Sequence, residues 1–353
     1  MLLKDCATIK GGKRLPKGQT LQNVANDHPY IRVKDMQGRY VVLDSSYEYV
    51  PDSVFPSISR YTVETNDIIL SIVGTVGLVA LVDESLNNAS LTENCVKLIN
   101  IKNHLPEFIY YYLYSDKGQA QISEGVVGST QPKFPLYNIE KLDVPDISMN
   151  EQQHIVDILG SIDAKIENNE KIISNVLKLY RLKFRNLAMK YEQKSVLSYI
   201  ASVESGKRPL HKSAALDGSF NIPIIGASSI MGYTDDYLFN EPILVIGRVG
   251  TLGVVQSIFG KSYPSDNALI IRSKYYTFCY CALNELDYNS LNKGSTQPLI
   301  TQTDIKNIQI PLIPQSEMQQ FEMHNKIDII VALKEENNML RELKALYLKK
   351  FFE

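Results

Sequence analysis

Between Lys10 and Arg39 the chain gathers seven basic residues, Lys10, Lys13, Arg14, Lys17, Arg32, Lys34 and Arg39, against two acids, Asp27 and Asp35. Cations at that density suit a phosphate backbone, where each neutralised phosphate releases condensed counterions. The second half answers on a smaller scale: Gly12-Lys13-Arg14 returns as Gly206-Lys207-Arg208. Lys212 follows, and Arg248 stands inside an otherwise apolar run. Lys133 closes the polar segment Gly128-Ser129-Thr130-Gln131-Pro132, whose hydroxyls and amide can meet phosphates or base edges, or cap their own turn. A second basic stretch, Lys171 to Lys190, has six cations and no Asp or Glu. It suits either a nucleic acid or the negative end of a helix dipole.

Catalytic chemistry finds less support. Gly260-Lys261-Ser262 resembles the end of a phosphate loop, but Val255 stands where the opening glycine belongs. Ser290-Leu291-Asn292-Lys293 and Ser265-Asp266-Asn267 superficially resemble penicillin-recognising serine enzymes, yet in the wrong order and without a following Lys-Thr-Gly. His28, His104, His154, His211 and His324 are scattered, with no HExxH pattern. There is no GxGxxG after a strand, nor the Asn-Pro-Pro-aromatic signature of amino-methyltransferases. The expectation is a non-catalytic chain without metal ligands or a cofactor of its own.

Whatever positions the cations must come from a chain of 353 residues, 44% hydrophobic and 22% charged, a globular composition long enough for about two domains. The net charge of -2 excludes a uniformly basic coat but not a local patch. Cys6, Cys95, Cys279 and Cys281 fit neither a zinc motif nor a disulfide framework, so reduced thiols and a cytoplasmic location are expected. The N-terminus lacks a signal-peptide pattern. The most apolar run, Ile68 to Val82, is short for a membrane span and broken by Gly74 and Gly77. Its counterpart, Ile243 to Val255, carries Arg248, which is costly in a bilayer.

The chain is written twice. Gly-Ser-Thr-Gln-Pro recurs at 294–298, Val73-Gly74-Thr75-Val76-Gly77 is answered by Val249-Gly250-Thr251-Leu252-Gly253, and Asn138 to Pro145 is matched in its apolar positions and proline by Asp304 to Pro311. Each half ends in a helical pattern. Ile155, Ile162, Asn169, Val176 and Lys183 share one heptad position, with Leu159, Ile166, Ile173 and Tyr180 beside them. The second pattern carries Ile327, Ile330, Leu333, Leu340, Leu343 and Tyr347, and Glu167-Asn168-Asn169 returns as Glu336-Asn337-Asn338. Asn169 and Asn338 are expected to fix the register of a helix pair, since a seam amide tolerates only a matching partner. Strands are expected at 30–33, 68–72, 78–82, 95–99, 222–225, 243–246, 254–258 and 268–271, and a helix opened by proline at 106–114.

Two divergent bodies alternating with two similar helices resemble the specificity subunit of type I restriction-modification systems. The resemblance rests on Pro145-Asp146-Ile147-Ser148-Met149-Asn150-Glu151-Gln152-Gln153, on Ile155, Leu159, Ile162-Asp163 and Ile166 after it, and on the repeated glycine motifs. The second copy departs where Met318 replaces Gln152 and Gln320 replaces His154. The resemblance implies an α+β chain with an internal pseudo-repeat: target recognition domains at 1–147 and 192–314, separated by antiparallel coiled-coil-like helices at 148–191 and 315–353. It implies sequence-specific binding of a bipartite, asymmetric target in double-stranded DNA and docking of methyltransferase subunits. A restriction (motor-nuclease) subunit would join them, with S-adenosylmethionine, ATP and magnesium on those partners. On this basis Lys13, Arg14, Lys34, Lys207, Arg208 and Lys212 are expected on the DNA backbone and Arg32 and Arg248 at base edges, with Lys10 and Lys133 completing the DNA-binding set. The competing expectation is a helical scaffold with two protein-binding modules, consistent with near-zero net charge and many tyrosines.

Overall fold

The apolar run from Ile68 to Val82 folds back on itself as antiparallel strands Ile68–Ser71 and Val79–Val82, with Ile69 opposite Ala80. In the computed structural model, which describes residues 1–128, 132–213, 219–249, 253–291 and 299–353, these strands sit inside a five-stranded sheet. Its order is Thr8–Gly11, Cys95–Ile99, Ile68–Ser71, Val79–Val82, Tyr40–Val41. Ile68 and Leu70 pack into one cluster and Ile69 into another. Both faces are therefore covered, which is why the run reads as continuously apolar and not as an alternation.

The second half builds the same sheet from different residues. Four strands run in the order Val255–Ile258, Ile243–Gly247, Ala268–Arg272, Ser202–Ser205, all antiparallel. This is the order of the matching four strands of the first sheet. A helix covers one face in each case: Pro106–Tyr114, with Phe108 to Leu113 all buried, and Tyr276–Asn284. A further four-stranded sheet, matched among the described residues of the first half by the parallel pair Tyr30–Ile31 and Ser90–Leu91, joins Ile222–Ile225 to Ile230–Thr234 and Lys261–Pro264. Gly260, whose Gly-Lys-Ser only resembles the end of a phosphate loop, is a turn residue with φ +71° that feeds this last strand. One strand expectation fails: Tyr30–Ile31 pairs, but the chain then turns into a short 3-10 segment at Val33–Asp35, because the Asp35 carboxylate captures the Arg32 backbone N–H at 2.8 Å.

The backbone divides into two compact units that differ from the sequence-based boundaries: Met1–Glu167 with Asn337–Glu353, and Asn168–Glu336. The helix Met149–Ala188 begins in the first and ends in the second. Its start explains the Glu-Gln pair of the motif. Glu151 closes a capping box with Ser148, accepting from its N–H at 3.0 Å and its hydroxyl at 2.8 Å. Gln152 is fully buried; its Oε1 accepts from the Leu105 N–H at 2.9 Å and its Nε2 donates to the carbonyls of Asn103 and Ile147. It thus fastens the turn that opens the Pro106–Tyr114 helix. In the second unit, where Met318 replaces this amide, Glu322 one turn later accepts from the N–H groups of Thr277 and Phe278 at 3.2 and 2.7 Å, at the start of the matching helix. The missing glutamine is compensated by a carboxylate.

The second helical segment is two helices, Gln315–His324 and Asp328–Phe352, and not one. Asn325 breaks it: its Nδ2 turns back to the Phe321 carbonyl at 2.7 Å, its Oδ1 accepts from Lys183 Nζ at 3.0 Å, and its carbonyl accepts from the buried Thr277 hydroxyl.

Within each unit these helices run antiparallel. In the first, Asp163 meets Lys344 and the Ile166 carbonyl accepts from Asn337 Nδ2 at 3.4 Å. In the second, Asn169 Nδ2 donates to Glu336 at 2.7 Å and the Tyr180 hydroxyl to the Lys326 carbonyl at 3.0 Å. Asn169 is a buried seam residue as expected of a register element, but Asn338 is exposed and accepts from Arg341. The buried line on that helix is Ile330, Asn337, Lys344, Leu348, which puts Asn338 about 100° round the axis. The same rotation leaves Leu343 41% exposed and buries Lys344. Lys344 Nζ sits 2.7 and 2.9 Å from the two Asp163 oxygens and 4.5 Å from the centre of the Tyr114 ring, while the Tyr111 hydroxyl donates to Asp163 at 2.9 Å.

Two outcomes follow for urea unfolding of the full chain. Gln152→Ala, which strands buried polar backbone, is expected to cost about 1–3 kcal/mol. Asp163→Ala should cost about 3–5 kcal/mol by leaving Lys344 uncompensated, and the double change Asp163→Leu with Lys344→Met should recover most of that loss.

Candidate nucleic-acid interface

Both copies of Gly-Lys-Arg leave the same end of the same strand. In the first unit the Gly12 N–H donates to the Cys95 carbonyl at 3.0 Å and the Lys13 N–H to Leu91 at 2.8 Å. In the second the Gly206 N–H donates to Ala268 and the Lys207 N–H to Pro264, both at 3.0 Å. The glycine is dictated by this approach. A Cβ on Gly12 would lie 2.0 Å from the Thr92 carbonyl oxygen, and one on Gly206 would lie 2.1 Å from that of Ser265. The equivalence extends across the sheet end: Val73 bridges Lys133 where Val249 bridges Leu299, and the Phe134 N–H reaches the Ile72 carbonyl where the Ile300 N–H reaches Arg248. The polar loops Thr92-Glu93-Asn94 and Ser265-Asp266-Asn267 occupy matching places, so the latter triplet is a structural turn.

In the first unit this end opens into a cleft of about 530 Å³ whose lining includes Arg14, Lys17, Arg32 and Lys34 with Glu93 and Asn94. Lys13 and Arg14 are exposed; the Tyr30 hydroxyl holds the Lys13 backbone carbonyl at 2.8 Å, and Lys13 Nζ lies 5.7 Å from the centre of the Tyr61 ring. Arg14 Nε is paired with Glu93. Burial alone would raise the Glu93 carboxyl, but Arg14, a backbone N–H and the Thr92 hydroxyl outweigh it and hold the group below its ordinary range. Lys34 is exposed and forms no ion pair among the described residues. Arg32 stands differently. It is 20% exposed and paired with Glu48 through Nη1 and Asp35 through Nε, so its guanidinium forms part of the cleft wall.

Lys10 and Lys133 lie apart from that cleft. Lys10 is exposed on the edge strand opposite Lys97, and Lys133 is exposed on the bridge beside Val73 and Val127. In the second unit Lys207, Arg208 and Lys212 are all exposed, Arg208 Nη2 lies 3.3 Å from Asp266, and half-buried Arg248 takes the position of Ile72. Lys17 is the cation that selection by type and repeat passed over. Its signal was the Pro16-Lys17-Gly18 turn, with Gly18 at φ +86°, which lifts it onto the cleft rim. Ser129 to Gln131, 250–252 and 292–298, which hold most of the repeated Gly-Ser-Thr-Gln-Pro and the second Val-Gly-Thr-x-Gly, lie outside the described residues.

Other chemistry has little purchase on the described residues. No group of three His, Cys, Asp or Glu side chains among them is placed to hold a metal ion, and no helix among them is long and apolar enough to cross a membrane. All four cysteines are free and buried, and burial pushes the Cys95 and Cys279 thiols up to about 12. His104 is buried between the Lys102 and Pro145 carbonyls.

Residues 1–178 and 190–344 each match the family described as the type I restriction modification DNA specificity domain. The chain belongs to that family. As a whole, this type I specificity chain is 22% identical, over 90% of its own length and 84% of the relative's, to the type I restriction enzyme MjaIX specificity subunit of Methanocaldococcus jannaschii. Its fold is similar to that of the S subunit of a type I restriction-modification system from M. genitalium, with a TM-score of 0.57, 17% identity, and 100% and 95% of the two chains covered. Each matched stretch of the specificity chain contains one Gly-Lys-Arg sheet end, so the duplicated site coincides with the duplicated domain.

Gly12→Ala and Gly206→Ala are each expected to lower stability by about 1–3 kcal/mol in denaturant unfolding, as for other forced core contacts. Gly11→Ala is the control, because its Cβ would meet nothing within 4 Å; an equal loss there would remove the close-approach argument.

Proposed function

We propose that each unit carries one target recognition module that docks its Gly-Lys-Arg sheet end on duplex DNA, the two modules reading the two parts of a split, asymmetric target. The observation that carries this reading is the recurrence of one cation-bearing sheet end in two bodies that otherwise differ. Lys13, Arg14, Lys17 and Lys34 in the first module, and Lys207, Arg208 and Lys212 in the second, contact backbone phosphates. Arg248, next to the second sheet end, reaches a base edge. Lys10 and Lys133 flank the first contact.

The chain performs no chemistry itself. Methyltransferase subunits dock on it and a motor-nuclease subunit joins for cleavage, with S-adenosylmethionine, ATP and magnesium on those partners and the assembly in the cytoplasm. The antiparallel helices act as the ruler that fixes the gap between half-sites. A scaffold for other proteins would give no reason for both modules to keep exposed Lys and Arg at one sheet end.

Two experiments test the reading. Replacing Lys13 and Arg14 by Ala should weaken duplex binding and reduce the slope of log affinity against log salt by roughly two; an unchanged slope removes both from the interface. Mapping methylated adenines in cells that carry the complex should return a bipartite motif. Adding one helical turn after Asn169, with a matching turn in the partner helix, should lengthen its gap by about one to two base pairs. The same motif with an unaltered gap would sink the ruler.

A further inference from the structure

Each module sets one carboxylate against the arginine of its Gly-Lys-Arg sheet end. Arg14 pairs with Glu93, and Arg208 with Asp266. The two acids lie in matching loops, each two residues ahead of the residue whose carbonyl receives the glycine N–H, Cys95 and Ala268. The arginines are 78% and 84% exposed and the acids 28% and 45%, so the pairs stand in water at the mouth of the basic surface. As stabilising contacts they are worth little. Nor does architecture require Asp266, which makes no other polar contact among the described residues. Next to a surface meant for phosphate, a carboxylate works against binding of any polyanion. The two bodies differ in most of their residues, and one keeps Glu where the other keeps Asp, yet the charge pair recurs.

Resting on the DNA reading above, we infer that Glu93 and Asp266 are specificity-determining latches. Each occupies its arginine while the module is free or on unrelated DNA, and releases it to a backbone phosphate when the rest of the module is seated on its target. The exchange trades one weak, solvent-screened ion pair for another, so it is reversible and cheap. Its effect is to lower affinity for generic duplex more than for the target, because discrimination is a difference between two affinities and a repulsive element widens it. A guanidinium suits the exchange, since its fork can keep one N–H on the carboxylate while another finds an oxygen.

The test uses the full chain and a random-sequence DNA duplex across a salt titration. Glu93→Gln and Asp266→Asn are each expected to tighten binding about two- to fivefold and to steepen the salt slope by roughly one. In an Arg14→Ala background, Glu93→Gln should give no further gain. Unchanged affinity and slope in both single variants overturns the latch, as does an equal gain without Arg14, which would mark simple loss of a negative charge. Arg14→Ala opens the same pair from its exposed side, so an unfolding midpoint matching the parent's in that variant keeps the cycle interpretable. If the parent chain itself fails to retain duplex at low salt, the DNA reading falls and the latch with it, an outcome distinct from parent binding with an inert Glu93→Gln.

Discussion

The register of the antiparallel helix pairing is the constraint on which the rest depends. The first unit is assembled from residues 1–167 and 337–353, and Leu348 and Phe352 complete a core begun by Phe108, Tyr112, Ile155 and Leu159. A slip of the last helix by one residue would turn those apolar groups outward. Polar pairs oppose it. Lys344 is buried opposite Asp163, Asn337 reaches the Ile166 carbonyl and Asn169 reaches Glu336. Such pairs add little net stability against a well-packed apolar seam, but displacing either member strands a charge or an amide, which sets a cost against such a slip.

From that register follows a second regularity, the way each helix pair closes one face of a sheet. Tyr180, Phe184, Met318, Phe321 and Ile330 pack with Phe278 and the Ala268–Arg272 strand in the second unit, as Ile155 and Leu159 pack with Phe108 and the Cys95–Ile99 strand in the first. Gln152 and Glu322 perform the same fastening with different chemistry, one as a neutral amide, the other as a carboxylate held by two backbone N–H groups. With the helix side of each module fixed, the opposite end of the sheet, where strands give way to loops, carries the exposed cations. Variation in those exposed side chains, unlike at Gly12 and Gly206, leaves the core untouched.

Net charge is a poor guide to such a surface. A chain at -2 gathers Arg14, Lys17 and Lys34 around one cleft because the strand end, the Pro16–Gly18 turn and the Val33–Asp35 segment converge there, while acids elsewhere balance the total. Arg32, in the same stretch, is paired with Glu48 and Asp35 and forms part of the cleft wall.

Periodicity and repeats alone determined the duplicated α+β architecture, the strand at Cys95–Ile99, the helix at Pro106–Tyr114, and Asn169 as a seam residue, because local propensity and the matched landmarks act over short spans. The Gly-Lys-Arg pair was legible for the same reason. Only tertiary structure decided what depends on distant partners. Lys344 is buried because Asp163, 181 positions away, neutralises it, and that choice rotates Leu343 and Asn338 to the surface. Asn325 breaks the last helical segment because Lys183 and Thr277 bond to it, and Gly12 is obligatory because the Thr92 carbonyl lies where a Cβ would go. No window of neighbouring residues contains those contacts, and an unpaired Lys or a flexible Gly reads the same in sequence whether or not the fold supplies its partner.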